Sequence, residues 1–250
     1  IDGDGCIALG VPGTARFLIR SGEALDVELP EGVAESEAGA LVLAGPLAAL
    51  LCRRGLVPLR AVTVAIGSAA IVLAGVSGIG KSTLAAALIA RGARLVADDL
   101  CLFTPTGGGG LLAWPGVRRL AVWPDVLPLP GAAGPGERLR PGIERCYVDL
   151  PLAGPEPLPV RAVFVMRVGL SGAMHCRPLA PAAAAKDLLS RLVDRTPIRR
   201  LGIEAAALAT VGRLCAAAPV FRLERSPDRA ALMAMADAVL ETVAAAGVAA

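Results

Sequence analysis

A run of 20 residues without a charged side chain, residues 61–80, most constrains how this chain can fold. Its length is about that of a helix that crosses a bilayer. Gly67 and Ser68 divide the run into two segments rich in β-branched residues, and the second segment leads into a glycine-rich loop. A buried strand is apolar on both faces, as a membrane helix is. The run therefore predicts two adjacent buried strands, and no membrane partner is expected.

Composition excludes several classes of protein. The 250 residues are 55% hydrophobic and 19% charged, which is enough apolar material for a sizeable core and excludes a disordered chain. The net charge is +3, and the basic residues are scattered, so we expect no nucleic-acid partner. The six cysteines lie 30 or more residues apart, with one histidine, His175, in the chain. This spacing does not favour a structural zinc site and predicts mostly reduced, buried thiols in a cytoplasmic protein.

Residues 75–82, GVSGIGKS, fit the phosphate-loop pattern G-x-x-x-x-G-K-[ST]. The segment follows a predicted strand, IVLAG, and precedes a predicted helix, STLAAALIARG, which is the context that the motif requires. In such a loop the glycines let backbone N–H groups surround a phosphate, Lys81 places a positive charge at the β and γ phosphates, and Ser82 can bind Mg²⁺. The residues expected to bind the nucleotide are Gly75, Val76, Ser77, Gly78, Ile79, Gly80, Lys81, Ser82 and Thr83.

Two adjacent acids, Asp98 and Asp99, end the next predicted strand, 17 residues beyond Lys81. A carboxylate at this position beside a phosphate loop can hold a metal ion, and a second carboxylate can accept a proton from a hydroxyl. The chain contains no Asn and no Gln, which excludes guanine recognition and water activation of the Ras type. The acid pair, Asp98 and Asp99, therefore favours a hydroxyl acceptor over water.

The order of predicted elements over residues 58–100 is strand, strand, loop, helix, strand, which is typical of α/β proteins. We predict an α/β fold with a mixed sheet, in which residues 58–250 form a phosphate-loop core and residues 1–57 a small β-rich extension. Within the extension we expect an acidic loop at 31–37 and a helix at 46–54. A Pro- and Gly-rich loop is expected at 128–142, and helices at 182–193, 203–217 and 228–246.

Residues 71–100 resemble the core of the HPr kinase/phosphorylase family in the SGIGKS loop, the R-G after the helix and the V-A-D-D strand end. The resemblance implies a fold related to phosphoenolpyruvate carboxykinases and an ATP- and Mg²⁺-dependent kinase that phosphorylates a serine of a peptide or small protein. It implies that Asp98 is the base and Asp99, with Ser82, a metal ligand, although the order within the acid pair stays open. Family enzymes are oligomeric, so a homo-oligomer is possible.

This chain departs from the family pattern at several positions. Arg60 stands where the family has a histidine before the phosphate loop, and it can hold a phosphate or the acid pair but cannot shuttle a proton. Thr83 replaces an acid, and the later E-x-R-G signature is not visible. The departures put phosphorolysis in doubt and make the chain similar to shorter homologues encoded beside peptide-modification genes. Two other hypotheses are a catalytically weakened, nucleotide-gated peptide-binding module and a small-molecule kinase.

Overall fold

The protein is a mixed α/β structure. The computed structural model describes residues 6–33, 35–124, 132, 136–140, 143–169, 174–192, 195–225 and 231–247. The strands are β1 (Ile7–Val11), β2 (Ala15–Arg20), β3 (Ala24–Glu28), β4 (Leu59–Ile66), β5 (Ala69–Ala74), β6 (Arg94–Cys101), β7 (Phe103–Pro105), β8 (Leu111–Ala113), β9 (Arg119–Val122), β10 (Glu137–Arg140), β11 (Ile143–Asp149), β12 (Leu158–Val168), β13 (His175–Pro178) and β14 (Val220–Arg225). The helices are α1 (Glu35–Ala44), α2 (Pro46–Arg53), α3 (Lys81–Ile89), α4 (Pro181–Leu189), α5 (Arg195–Leu201), α6 (Glu204–Ala217) and α7 (Ala231–Ala245).

The uncharged run at 61–80 forms two neighbouring strands, as predicted. β4 and β5 pair antiparallel, and the last pair before the turn at 67–68 is Ile66 with Ala69. Every residue of β5 is buried, and β4 is buried except at Arg60 and Ile66, which are partly exposed. Across the described residues, no helix has both the length and the apolar character needed to span a bilayer.

The central sheet has the strand order β13-β14-β12-β5-β4-β6, with β8 pairing β12 and β7 pairing β8. β5, β12 and β14 run parallel, whereas β4 and β13 run antiparallel to their neighbours. Side chains alternate across the sheet. Leu73 and Phe164 pack with α3 and α7 on one face, while Val72 and Val163 pack with α4 and α6 on the other. The sheet is therefore the middle layer between two layers of helices.

The first three strands form a separate antiparallel sheet in the order β1-β2-β3. α2 packs on this sheet, where its Ala49 joins Ile7 and Ile19 in a small apolar cluster. α1 begins at Glu35, so the prediction of an acidic loop at 31–37 is wrong at its C-terminal end. The division of the chain at residue 57 stays a prediction.

The strand directions gather three segments at one edge of the central sheet. β4 lies between β5 and β6 and runs antiparallel to both. β5 and β6 therefore end at the edge where β4 begins. Ala61, near the start of β4, lies opposite both Ala74, the last residue of β5, and Asp99 near the end of β6. The phosphate loop, the acid pair and Arg60 are consequently neighbours.

Candidate active site

The phosphate loop, residues 75–82, connects β5 to α3. Two of its glycines have left-handed backbones, with φ of 80° at Gly78 and 101° at Gly80, the residue that precedes α3. Glycine adopts such values without the steric cost that a Cβ brings. Gly75 has a different requirement: a Cβ there would lie 2.8 Å from Ile79 Cγ2 and 3.3 Å from the Met166 carbonyl oxygen. The loop therefore needs glycine twice for its turn and once for close packing.

Lys81 is the first residue of α3, and its ammonium group folds back over the loop. Nζ donates to the carbonyl oxygens of Gly75, at 3.0 Å, and Val76, at 3.2 Å. Burial lowers the pKa of Lys81, and the negative charges of Asp99 and Asp98 oppose that shift. The ammonium is therefore held at the mouth of the loop, where the N-terminus of α3 also favours an anion.

Asp98 and Asp99 line the same cavity although they are consecutive residues of a strand. Successive side chains of a regular strand point to opposite faces. Asp99 breaks this alternation because its φ is 66°, in the left-handed region that non-glycine residues seldom adopt. The strained backbone of Asp99 thus accompanies a site in which two carboxylates face one cavity.

Asp98 sits beside the phosphate loop. Its Oδ2 accepts a hydrogen bond from the Ala121 N–H at 3.0 Å, and its Oδ1 accepts one from Ser82 Oγ at 3.4 Å. Burial raises the pKa of Asp98 to about 6, the backbone hydrogen bond from Ala121 lowers it, and the charge of Asp99 raises it. A carboxyl group with a pKa near neutrality can accept and release a proton under cellular conditions.

Arg60 holds the second acid. Its NH1 group donates to Oδ1 of Asp99 at 3.0 Å and to Oδ2 at 3.1 Å. Both side chains are partly open to solvent, at 37% and 48% of their full exposure, so the pair orients Asp99 more than it stabilises the fold. The position that the resemblance assigns to a histidine thus carries a fixed positive charge beside the acid pair.

One cavity of about 450 Å³ joins these groups. Its polar lining includes Ser77, Lys81, Ser82, the acid pair, Arg60, Arg119 and Arg145. Its remaining lining is mostly apolar and comprises Leu41, Leu43, Leu47, Leu51, Leu100, Leu102, Trp114, Pro115, Gly116, Val117, Ala121 and Tyr147. A cavity with convergent charged groups at one end and an apolar lining elsewhere has the character of a ligand site.

Several lining residues were not predicted as site residues. Arg145, on β11, donates to the Ala121 carbonyl oxygen at 2.7 Å, and Tyr147 lies two residues further along the strand. The pairing of β11 with β9 brings both to the cavity, and the sequence carries no local signal for a pairing between residues 24–30 positions apart. Leu47 and Leu51 of α2 do carry a signal in the sequence, because their four-residue spacing predicts that they share one face of a helix. Trp114 lines the cavity and also donates to Thr104 Oγ1 at 2.8 Å.

The Ser82 hydroxyl and the Asp98 carboxylate fit Mg²⁺. Hard oxygen ligands side by side suit this ion, which is usually bound by one or two protein groups together with substrate phosphates. Within the chain that the structure describes, no cluster of three or more His, Cys, Asp or Glu side chains forms a metal site. The adjacent oxygens of Ser82 and Asp98 suit a metal ion that arrives with a phosphate ligand.

We predict that Gly75→Ala destabilises the protein by about 1–3 kcal/mol, because the new methyl group overlaps Ile79 and crowds Met166. Gly107→Ala is the matched control, since a Cβ there meets nothing within 4 Å. We expect the control to match the wild-type protein or to gain up to about 1 kcal/mol. Urea unfolding of the three proteins measures the difference, and equal stabilities would contradict the packing role of Gly75.

A second prediction concerns pH. The pKa of Asp98 is raised from 3.8 to about 6 in the folded protein, so its ionisation costs stability, and the cost develops as pH rises from about 4 to above 6. Asp98→Asn should therefore stabilise the nucleotide-free protein by about 2 kcal/mol at pH 7.5 and should have no such effect at pH 4. Urea unfolding in chelator at both pH values measures this. A pH-independent difference would contradict the raised pKa.

Comparison with known proteins gives one family match. The model of the HPr Serine kinase C-terminal domain matches residues 57–113, which contain β4, the phosphate loop, α3 and the acid pair. A solved structure, the Hpr(Ser) kinase/phosphatase from Coxiella burnetii, is 15% identical in sequence and has a TM-score of 0.40, covering 75% of this chain and 97% of that chain. No curated protein matches the chain in sequence.

The family match covers the segment that supplies Arg60, Lys81, Ser82 and both acids of the cavity. The apolar leucines of α1 and α2 lie outside it. Residues 57–113, which we call the HPr kinase-like segment, are thus similar to the HPr Serine kinase C-terminal domain.

Proposed function

We propose that this protein is an ATP- and Mg²⁺-dependent kinase that transfers the γ-phosphate to a serine hydroxyl of a peptide or small protein. The observation that carries the proposal is the single cavity in which the phosphate-loop residues Lys81 and Ser82 meet Asp98 and Asp99. Kinase chemistry needs an anion cradle and a proton acceptor within reach of one substrate. The HPr kinase-like segment supports the choice of serine as the acceptor.

The phosphate loop and Lys81 would bind and orient the triphosphate. In the transfer, the serine oxygen forms a bond to the γ phosphorus, and the bond from that phosphorus to the β–γ bridging oxygen breaks, so that ADP leaves. Mg²⁺, when bound, offsets negative charge on the phosphates. Lys81 exchanges its contacts with the Gly75 and Val76 carbonyl oxygens for contacts with the phosphate oxygens.

The two acids of the pair would each have a different role. One carboxylate accepts the serine proton, and the other holds the metal ion together with Ser82. The raised pKa of Asp98 supports Asp98 as the proton acceptor. The 3.4 Å contact between Ser82 and Asp98 supports the opposite division, with Asp98 at the metal ion. Asp99, held by Arg60, then faces the acceptor.

A second candidate function is a nucleotide-gated peptide-binding module. The pairing of Arg60 with both oxygens of Asp99 favours it, because the guanidinium occupies both oxygens of this carboxylate in hydrogen bonds and leaves them less available to an acceptor hydroxyl. Incubation with γ-labelled ATP and serine peptides separates the two functions: a kinase moves the label to peptide, and a binding module leaves it on nucleotide.

We predict that Lys81→Ala weakens ATP binding by about tenfold to 100-fold, because the variant loses charge-assisted hydrogen bonds to phosphate. Lys186, the other lysine of the chain, is exposed on α4 and provides the matched control, Lys186→Ala. Titration calorimetry with ATP and Mg²⁺ measures both affinities. Unchanged ATP affinity in Lys81→Ala would contradict nucleotide binding by the phosphate loop. A loss of ATP affinity in both variants would indicate a general effect of charge.

A further prediction separates the roles within the acid pair. The variant that loses the proton acceptor should transfer phosphate at least about 100-fold more slowly while its nucleotide affinity still increases with Mg²⁺. The variant that loses the metal ligand should lose that Mg²⁺ dependence. Asp98→Asn and Asp99→Asn are compared by label transfer and by nucleotide affinity with and without Mg²⁺. Wild-type transfer rates in both variants would overturn the catalytic role of the acid pair.

A further inference from the structure

α2 buries its small side chains and leaves two of its three leucines, Leu47 and Leu51, at the cavity, while Leu50 packs against the small apolar cluster of Ala49. Ala48, Ala49 and Cys52 are almost fully buried, at 2%, 0% and 2% exposure. Leu47 and Leu51 are only half-buried and line the cavity of the candidate active site. A helix on a protein surface normally buries its large apolar side chains in the core. The reversed arrangement indicates that these leucines are placed for contact with something that enters the cavity.

The leucines form one side of the cavity. Leu47 and Leu51 are four residues apart on α2, a spacing that places them on one face of the helix, and Leu43 lies near the end of α1. We refer to these three residues as the leucine wall. Trp114 and Val117 also line the cavity, and they are 44% and 43% exposed. The same cavity thus joins an apolar wall to the acid pair.

The positions of the charged groups in the cavity indicate what the leucine wall contacts. A triphosphate is bound by the loop amides and by Lys81, and its γ-phosphate must lie near Ser82 and the acid pair for transfer. The acceptor hydroxyl must reach the same acids from the remaining space of the cavity, part of which the leucine wall borders. A small polar metabolite would leave these leucines in water, whereas an apolar side chain beside the hydroxyl would cover them.

We propose that the leucine wall, with Trp114 and Val117, is an acceptor subsite that binds a large apolar side chain adjacent to the phosphorylated serine. The inference rests on the proposed function and names its substrate class: a peptide or protein segment in which leucine-like residues flank the serine. The wall comes from α1 and α2, outside the HPr kinase-like segment, so the selectivity belongs to this chain's own N-terminal helices.

The test uses two acetylated and amidated serine peptides that are identical except at the residues flanking the serine. One carries leucine on both sides, and the other carries asparagine, which has a similar shape but is polar. We expect kcat/KM for label transfer from ATP to be at least about tenfold higher for the leucine peptide, the discrimination typical of an apolar pocket. Equal values, or preference for the asparagine peptide, would overturn the subsite.

Substitutions in the leucine wall test whether the preference for the leucine peptide arises there. Leu47→Ala and Leu51→Ala should each raise the KM for the leucine peptide and reduce its advantage over the asparagine peptide. Leu208→Ala, at a leucine that is 58% exposed on α6 and is not part of the cavity lining, is the control and should keep wild-type kinetics. A rise in the KM for ATP with no change for the peptides would show that the wall contacts the nucleotide base, and would overturn the proposal.

A binding measurement tests the acceptor subsite separately from the kinase activity. Trp114 lines the cavity, and in a Trp123→Phe background it is the sole tryptophan, so its emission reports the apolar end directly. We expect the leucine peptide to shift this emission to shorter wavelength and the asparagine peptide not to do so. Should neither peptide be phosphorylated, the serine-kinase proposal fails, while a selective shift still supports the subsite; absence of any shift overturns the subsite itself.

Discussion

The antiparallel placement of β4 between β5 and β6 is the constraint on which the site depends. Because β5 and β6 both run opposite to β4, their carboxyl ends and the beginning of β4 share one edge. Ala61 fixes the register, since it pairs with the last residue of β5 and with Asp99. A shift of β4 by one residue would turn Arg60 to the other face of the sheet. Pairing in the sheet therefore fixes the distance between the phosphate loop and the acid pair.

Electrostatic balance follows from this arrangement. Arg60, Lys81 and Arg145 lie around two carboxylates, so the polar end of the cavity has positive charge in excess. The excess suits a polyanionic ligand, and the interaction is strong because the groups are partly removed from water. Asp98, the more enclosed acid, has its pKa raised to about 6 by burial. Binding of a divalent ion beside it would favour its ionised form, so metal binding and proton affinity are coupled at this carboxylate.

The sequence predicted the central part of this structure well because its signals are local. The uncharged run, the phosphate-loop pattern and the strand end at Asp98 lie within about 40 consecutive residues, and their periodicity and glycines determine their structure. β9 and β13, by contrast, are short strands defined by pairing with partners that are distant in the chain. Arg145 and Tyr147 reach the site through such pairing. The left-handed backbone of Asp99 was equally unpredictable, because aspartate, although enriched among left-handed residues, seldom adopts this conformation within a strand.

The two ends of the cavity come from different parts of the fold. Substitutions at the two ends therefore disturb the structure to different extents. The polar end is formed by adjoining segments of one sheet edge, where a substitution disturbs register, loop packing or charge together. The leucine wall stands on α1 and α2, and α2 contacts the rest of the protein through Ala49, Leu50 and Cys52. The cavity-side leucines Leu47 and Leu51 are only half-buried, so substitutions there should disturb this packing less than substitutions of Ala49 or Cys52. Under the proposed kinase function, we therefore expect selectivity for an acceptor to diverge on α2 while the phosphate chemistry at the sheet edge stays the same.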